Sequence, residues 1–362
     1  MAVTIHDIAR IAGVSATTVS LVLNSDSNRI SEKTKQKILA IAKEYNYTPN
    51  RIAVSLATKK TYTMGLILPD LSNLYFSELA GIIEKTIHKR GYSLFLCNSS
   101  ENIEKCTRYI TDMERRCVDG IFIIPPGCIN YGENYIAMQN ILNNCKIPYI
   151  IIERAIHNVF HDFVTSDNDV GGYIATKHLI ELGHKKIGCI TGPLTEYGAL
   201  RRFEGYESAM QEYNLPIPKS YVFEGDFHIE SGIAGARQLI ASGVSAVFAG
   251  NDMMAIGVLQ EAVKQNIPVP HELSIVGYDN NPITKLVSVP LTTIGQPVEL
   301  MGRRACEIIL DKINSVSDLH RDYYFSPFLI QRKSTSELKY KSFKMENFYT
   351  RMLEKSISGT TD

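Results

Sequence analysis

The chain has 362 residues, and its 38 Lys and Arg balance 38 Asp and Glu. No run approaches the ~20 apolar residues of a membrane helix, and the amino terminus lacks a basic-then-apolar signal pattern, which excludes a membrane span and points to a reducing cytoplasm. The charge is unevenly spread: residues 1–60 hold nine Lys and Arg against four Asp and Glu, a net of +5, so the remainder carries −5. One end should attract phosphate while the bulk does not.

Thr4 followed by Asp7 is an S/T-x-x-D capping pattern, and Ile5, Ile8, Ala9 and Ala12 recur at helical spacing, predicting a first helix of about two turns. Gly13 ends it, because glycine tolerates a left-handed turn, and Ser15 can cap the next helix. Val19, Val22 and Leu23 would face inward. Ser15, Ala16, Thr17, Ser20, Leu21 and Asn24 would face outward, small or apolar enough to reach base edges and thymine methyls in a major groove. A third helix is expected from near Ser31, with Thr34, Ile38, Ile41, Ala42 and Tyr45 inward. The turn Ala12-Gly13-Val14-Ser15 between two capped helices is a helix-turn-helix arrangement. Pro49 fits a helix start, but Asn50 to Leu56 gives under two turns, too short to be stable alone.

From about Thr61 the pattern changes. Met64–Pro69, Ser93–Cys97, Gly120–Ile124 and Pro148–Ile152 are short apolar runs that suit buried parallel strands, with helical patterns between them. Lys186–Ile190, Ala246–Ala249 and Leu273–Gly277 repeat the rhythm, predicting two doubly wound α/β lobes. Ligands in such sheets bind beyond the carboxyl ends of the strands. That rule singles out Asn73, Tyr75 and Phe76 after the first run, Arg201 and Arg202 after Ile190, Asn251 after the run at 246–249, and Asp279 after that at 273–277, while Phe227 in Gly225-Asp226-Phe227 would cover an apolar ring face. The aromatic rings suit a ligand ring; the arginine, amide and carboxylate suit vicinal hydroxyls. Each has a plainer alternative: Asp279 and Asn73 as helix caps, Asn251 as a turn holder, Asp167 as the stabiliser of a crossover, and Glu153-Arg154 as an interlobe ion pair.

Catalytic patterns are lacking: no G-x-G-x-x-G after the first strand, and no G-x-x-x-x-G-K-[ST], G-x-S-x-G or H-E-x-x-H. Seven cysteines without a C-x-x-C pair, several in apolar strand or helix patterns, read as buried free thiols, and no metal site or cofactor is expected. An enzyme acting on sugars remains a rival only in outline, since no nucleophile and base can be named.

The run Val3-Thr4-Ile5-His6-Asp7-Ile8-Ala9-Arg10-Ile11-Ala12-Gly13-Val14-Ser15-Ala16-Thr17-Thr18-Val19-Ser20, then Val22-Leu23-Asn24 and Tyr47-Thr48-Pro49-Asn50, resembles the lactose/galactose repressor (LacI/GalR) family of bacterial regulators over roughly residues 2–336. The resemblance implies a homodimer on a pseudo-palindromic double-stranded operator, with a small-molecule effector, a sugar or sugar phosphate, between two periplasmic-binding-protein-like type I lobes. It implies a helix-turn-helix head at 1–48, a hinge at 49–60, a first lobe at 61–161 and 292–323, a second at 162–291 and 324–336, and a tail at 337–362, with crossings near 162, 291 and 324. It adds Thr4, Thr18, Ser31, Tyr47 and Asn50 to the DNA-contacting set, Leu56 as a minor-groove wedge, and Ala53 for close approach of paired hinges. Arg29 would touch a phosphate or groove edge. Within the cleft it implies Asp167 and Arg202 as effector contacts.

Two departures alter the expectation. Leu21 stands where the family commonly has arginine, so the half-site should differ, because leucine packs on a methyl but cannot bond guanine. Thr195-Glu196-Tyr197-Gly198 lacks the basic residue of the purine-responsive member, which disfavours a purine. Some relatives answer to a phosphorylated carrier protein on the body surface, and Arg303-Arg304 would be the place to receive it. Past Ser336 the resemblance fades; Phe343, Met345, Phe348, Tyr349, Met352 and Leu353 allow a short amphipathic helix.

Overall fold

A computed structural model describes residues 3–24, 30–48, 55, 60–130, 132–154, 161–316 and 322–338. The expectations for Arg29, Asn50, Ala53, Leu56 and residues 339–362 lie outside the described residues, as does the side chain of Asn24.

Three helices make the head: α1 (Ile5–Ala12), α2 (Ala16–Asn24) and α3 (Glu32–Glu44). Thr4 and Asp7 form a reciprocal capping box, and Gly13 closes α1 at φ 71°, a left-handed conformation that only glycine adopts freely. Ile8, Ala9, Ala12, Val19, Ile38 and Ile41 are the buried centre. Tyr45 departs from its expected inward place and is 43% exposed. The helix stops at Glu44, Asn46 turns left-handed at φ 48°, and Tyr47 N donates to Ala42 O, so Tyr47 folds back onto the core instead.

The body contains two six-stranded sheets. The first has the order β11-β5-β4-β3-β1-β2, from β1 (Thr63–Leu68), β2 (Ser93–Asn98), β3 (Gly120–Ile123), β4 (Tyr149–Ile152), β5 (Phe163–Ser166) and β11 (Asp322–Phe325), all pairs parallel. The second has the order β12-β10-β9-β8-β6-β7, from β6 (Ile187–Thr191), β7 (Val222–Glu224), β8 (Ala246–Ala249), β9 (Ser274–Asp279), β10 (Thr292–Gly295) and β12 (Phe328–Ile330), parallel except for β12 against β10. Leu66 and Leu68 join one core with Phe122 and Ile150, while Ile67 joins another with Ile121 and Ile151, as alternate residues of strands covered on both faces must.

The helices that cover the sheets are α4 (Leu74–His88), α5 (Ile103–Arg115), α6 (Gly132–Asn144), α7 (Asn168–Glu181), α8 (Tyr197–Glu212), α9 (Ile229–Ala241), α10 (Asp252–Lys264) and α11 (Val298–Ile313). Contact between α7 and α8 is backbone-close: a Cβ on Gly172 would lie 2.0 Å from Arg202 O, and one on Gly205 2.1 Å from Asp169 O.

The strand pairings shift the expected crossings. β5 belongs to the first sheet and β10 to the second, so the chain crosses after Ser166, after Gly295 and after Phe325, one to four residues beyond the expected 162, 291 and 324. These strands are short and half polar, so no apolar run marked them. The run at 93–97 was expected to be buried; β2 is instead the edge strand, with Phe95 and Leu96 exposed. Among the described residues no helix is long and apolar enough to cross a membrane, and all seven cysteines are free thiols, but only Cys106, Cys189 and Cys306 are buried as expected, with Cys117 and Cys128 exposed.

Candidate functional site

The strand ends of both sheets converge on one small, open pocket, lined by Asn73, Tyr75, Phe76, Glu153 and Arg154 from the first lobe and Glu196, Arg202, Phe227, Asn251 and Asp279 from the second. It shares Asn73, Phe76, Arg154, Glu196 and Phe227 with a wider cleft of about 490 Å³ whose walls also include Asp70, Glu101, Thr195 and His228. The structure thus brings together seven of the eight expected cleft residues; Asp167 is not in the lining. Asp167 is instead the cap of α7, its Oδ1 accepting from Val170 N at 3.3 Å.

Arg202 is buried on α8 and lies over the Tyr278 ring at 3.9 Å. Its Nε donates to Asn168 Oδ1 and its Nη1 to Gly250 O, each at 2.7 Å, with Asp279 Oδ1 at 3.9 Å. Asp279 sits at φ 106° and accepts from Gln296 Nε2 at 2.8 Å. Burial pushes its carboxyl up to about 7, against the opposing pull of Arg202. Asn251 spends both ends of its amide within the protein: Oδ1 accepts from Met254 N and Nδ2 donates to Phe227 O, each at 2.9 Å. It therefore holds the Phe227 turn, where φ is 69°, rather than offering a free donor pair. The Phe227 ring lies so close to Gly192 that a Cβ there would meet its Cζ at 2.1 Å.

Glu153 and Arg154, at φ 59° and 24°, are also strained. Positive φ at four cavity-lining non-glycine residues is the kind of backbone cost that concentrates at binding sites. Glu153 Oε1 accepts from Tyr75 OH at 2.7 Å, and burial raises its carboxyl above the usual range. Arg154 donates to Glu101 in its own lobe and to Glu196 in the other, both at 2.9 Å. These two residues directly follow β4, so the strand-end rule applies to them as fully as to Asp279, and Arg154 also makes the expected interlobe ion pair, with Glu196. Glu196, which in sequence marks only the lack of a basic residue, lines the cavity just before α8.

In the head, Thr4, Ser15 and Ser31 each cap a helix: their oxygens accept from Asp7 N, Thr18 N and Thr34 N. Ser15 and Thr18 also share a hydroxyl contact of 2.8 Å. Ala16 packs on the core, Ser20 is half-buried, and Thr17 and Leu21 are exposed one turn apart on α2. Lys37 is held, donating from Nζ to Ala12 O at 2.9 Å, which locks α3 to the end of α1. On the body, Arg303 and Arg304 pair with Glu299 and Glu307 of their own helix.

A capped three-helix head on a two-lobed ligand cleft defines a DNA-binding regulator with a sensor body. Residues 4–50 match the family described as bacterial regulatory proteins, lacI family, and residues 176–335 the periplasmic binding protein-like domain. The chain is 34% identical over 337 residues to the HTH-type transcriptional repressor PurR of Aliivibrio salmonicida, covering 92% of this chain and 99% of that one. A lac repressor dimer bound to operator and the anti-inducer ONPF superimposes with a TM-score of 0.81 at 26% identity, over 93% of this chain and all of that one. A transcriptional regulator CelR–cellobiose complex does so at 0.69 and 27% identity, over 92% and 99%. The chain belongs to the lacI family of bacterial regulatory proteins and is a DNA-binding transcriptional repressor, not an enzyme.

Proposed function

We propose that the chain works as a homodimer on a pseudo-palindromic operator, and that a small polar ring, a sugar or a molecule of similar shape, sets its operator affinity from the interlobe cleft. The observation that carries this is the convergence of aromatic, guanidinium and carboxylate side chains from both lobes on one cavity. A ligand touching both lobes changes their closure, and effector and operator then alter each other's affinity reciprocally, by ~1–3 kcal/mol in typical coupled systems. The carbohydrate part rests on the cleft chemistry and on the cellobiose bound by a solved relative, since the repressor relative carries the name PurR.

Dimerisation has support in the exposed Phe95 and Leu96 on edge strand β2, beside Tyr109 and Met113, an apolar edge that needs a cover. A phosphorylated carrier protein docking on Arg303 and Arg304 has less, because both guanidiniums already face carboxylates. The test is operator binding with and without sugars that raise the melting temperature, in the wild type and in Arg202→Ala. The variant should bind operator normally and lose the ligand response; a normal ligand titration in Arg202→Ala would refute the assignment.

A further inference from the structure

Three groups hold Arg202 in the cleft. Nε donates to Asn168 Oδ1 and Nη1 to Gly250 O, each at 2.7 Å, and the guanidinium lies over the Tyr278 ring. Among the described residues Asn168 is the one side chain that accepts a hydrogen bond from it, since Asp279 Oδ1 stands off at 3.9 Å. Nη2 has no acceptor among those residues.

Asn168 is buried and works at both ends of its amide. Its Oδ1 also accepts at 3.3 Å from the hydroxyl of Tyr278, the neighbour of Asp279, while Nδ2 donates to Ser166 O at 3.1 Å. Ser166 ends β5, where the chain first crosses between lobes, and Asn168 opens α7 on the far side. Asp167 N donates to Phe325 O at 2.9 Å and Ser166 Oγ to the same oxygen at 3.5 Å, which bonds the first crossing to the third at the end of β11. One amide thus touches a cleft arginine, the ring beneath it and the junction of two crossings.

Fixing an arginine side chain costs rotamer entropy, and its buried N–H groups need acceptors. A carboxylate at residue 168 would supply an acceptor and neutralise the guanidinium; an amide supplies one and leaves the charge. We propose that Asn168 is a positioning residue that aims Arg202 at the effector and fastens it to the lobe crossings. The inference rests on the ligand reading of the cleft and adds to it. A ligand that accepts from Nη2 loads the crossings through Asn168, and closure of the lobes re-aims Arg202 in turn.

The test first follows the Arg202 Nε–H signal by nuclear magnetic resonance in the full-length protein, isotope-labelled at arginine, the signal being assigned by its loss in Arg202→Ala. Asn168→Leu, close in volume, should abolish the slowly exchanging signal; Asn168→Asp keeps the acceptor and should restore it. A signal unmoved in Asn168→Leu, or absent from a folded Asn168→Asp, overturns the inference, whatever the melting temperatures; Asn168→Ala replaces the leucine variant if that misfolds. Cellobiose and ribose are then titrated by calorimetry. A sugar that binds the wild type should bind Asn168→Leu about tenfold more weakly. Asn168→Asp, which lacks the donor to Ser166 O, should bind that sugar but shift operator affinity less. Undiminished binding in the first variant, or an undiminished shift in the second, overturns the inference while the ligand reading stands. Silence from both sugars counts against the ligand reading, and the Nε–H signal still decides the positioning.

Discussion

Arg154, directly after β4, reaches across the cleft to Glu196 at the start of α8 and ties the two lobes together with a 2.9 Å charged hydrogen bond. Arg154→Met would leave Glu196 buried without its partner. Breaking such a pair from one side costs about 3–5 kcal/mol, much of it the penalty of the charge left behind. Thermal unfolding should therefore show a clear loss in Arg154→Met and recovery of part of it in the double variant Arg154→Met with Glu196→Leu. Equal melting of wild type and the single variant would show the pair to be neutral.

The Gly192–Phe227 contact predicts a loss of binding without a loss of DNA recognition. A methyl group on residue 192 collides with the Phe227 ring, whose turn is already held at a strained φ by Asn251. Gly192→Ala should displace that ring from the cleft and weaken ligand binding, with operator affinity in the absence of ligand unchanged. Retention of full ligand affinity would mean that the ring is not part of the site.

Asp279 gives the protein a pH signature opposite to that of an ordinary ion-paired carboxylate. Its folded value lies near 7 and its ordinary value at 3.8, so the folded state holds the proton more strongly. The stabilising contribution is complete below about pH 4, declines as pH rises between the two values, and is gone above about 7. Burial is the main cause of the rise; Arg202 and Gln296 oppose it, and Glu153 and Glu196 add to it. Melting temperatures from pH 5 to 8 should fall less steeply in Asp279→Asn than in the wild type; parallel curves would assign the slope to other groups.

Leu21 is exposed on α2 and carries no charge. If it packs on a base in the groove, Leu21→Ala should lower specific operator affinity while the slope of log K against log salt stays the same, because no phosphate contact is removed. A changed slope would relocate its effect to the backbone of the duplex.

The exposed edge of the first sheet predicts the dimer's sensitivity. Phe95→Glu places a charge on β2 where apolar surface is exposed. Sedimentation should show a weaker dimer with an unchanged circular dichroism spectrum, and operator affinity should fall with it. A dimer of undiminished strength would move the interface elsewhere.

The sequence alone determined what depends on local rules. The caps at Thr4, Ser15 and Ser31, the glycine turn at Gly13 and the apolar runs of β1, β3, β4, β8 and β9 follow from the hydrogen-bonding needs of helix ends and from two-face burial, both readable within a few residues. The strand-end rule then pointed to Tyr75, Phe76 and Asp279 without a structure, and to Arg202 once the family resemblance chose it over Arg201. Tertiary structure decided what depends on partners distant in sequence. Tyr45 yields the core to Tyr47 because of how the chain turns at Asn46, and β5 and β10 change lobes because short half-polar strands take their place from pairing rather than periodicity. It also decided the state of the cleft's charges. Arg154 is spent on Glu101 and Glu196, while Arg202 is held by Asn168 and Gly250 with Asp279 standing off, and no spacing along the chain could say which of these buried groups would find a counter-charge.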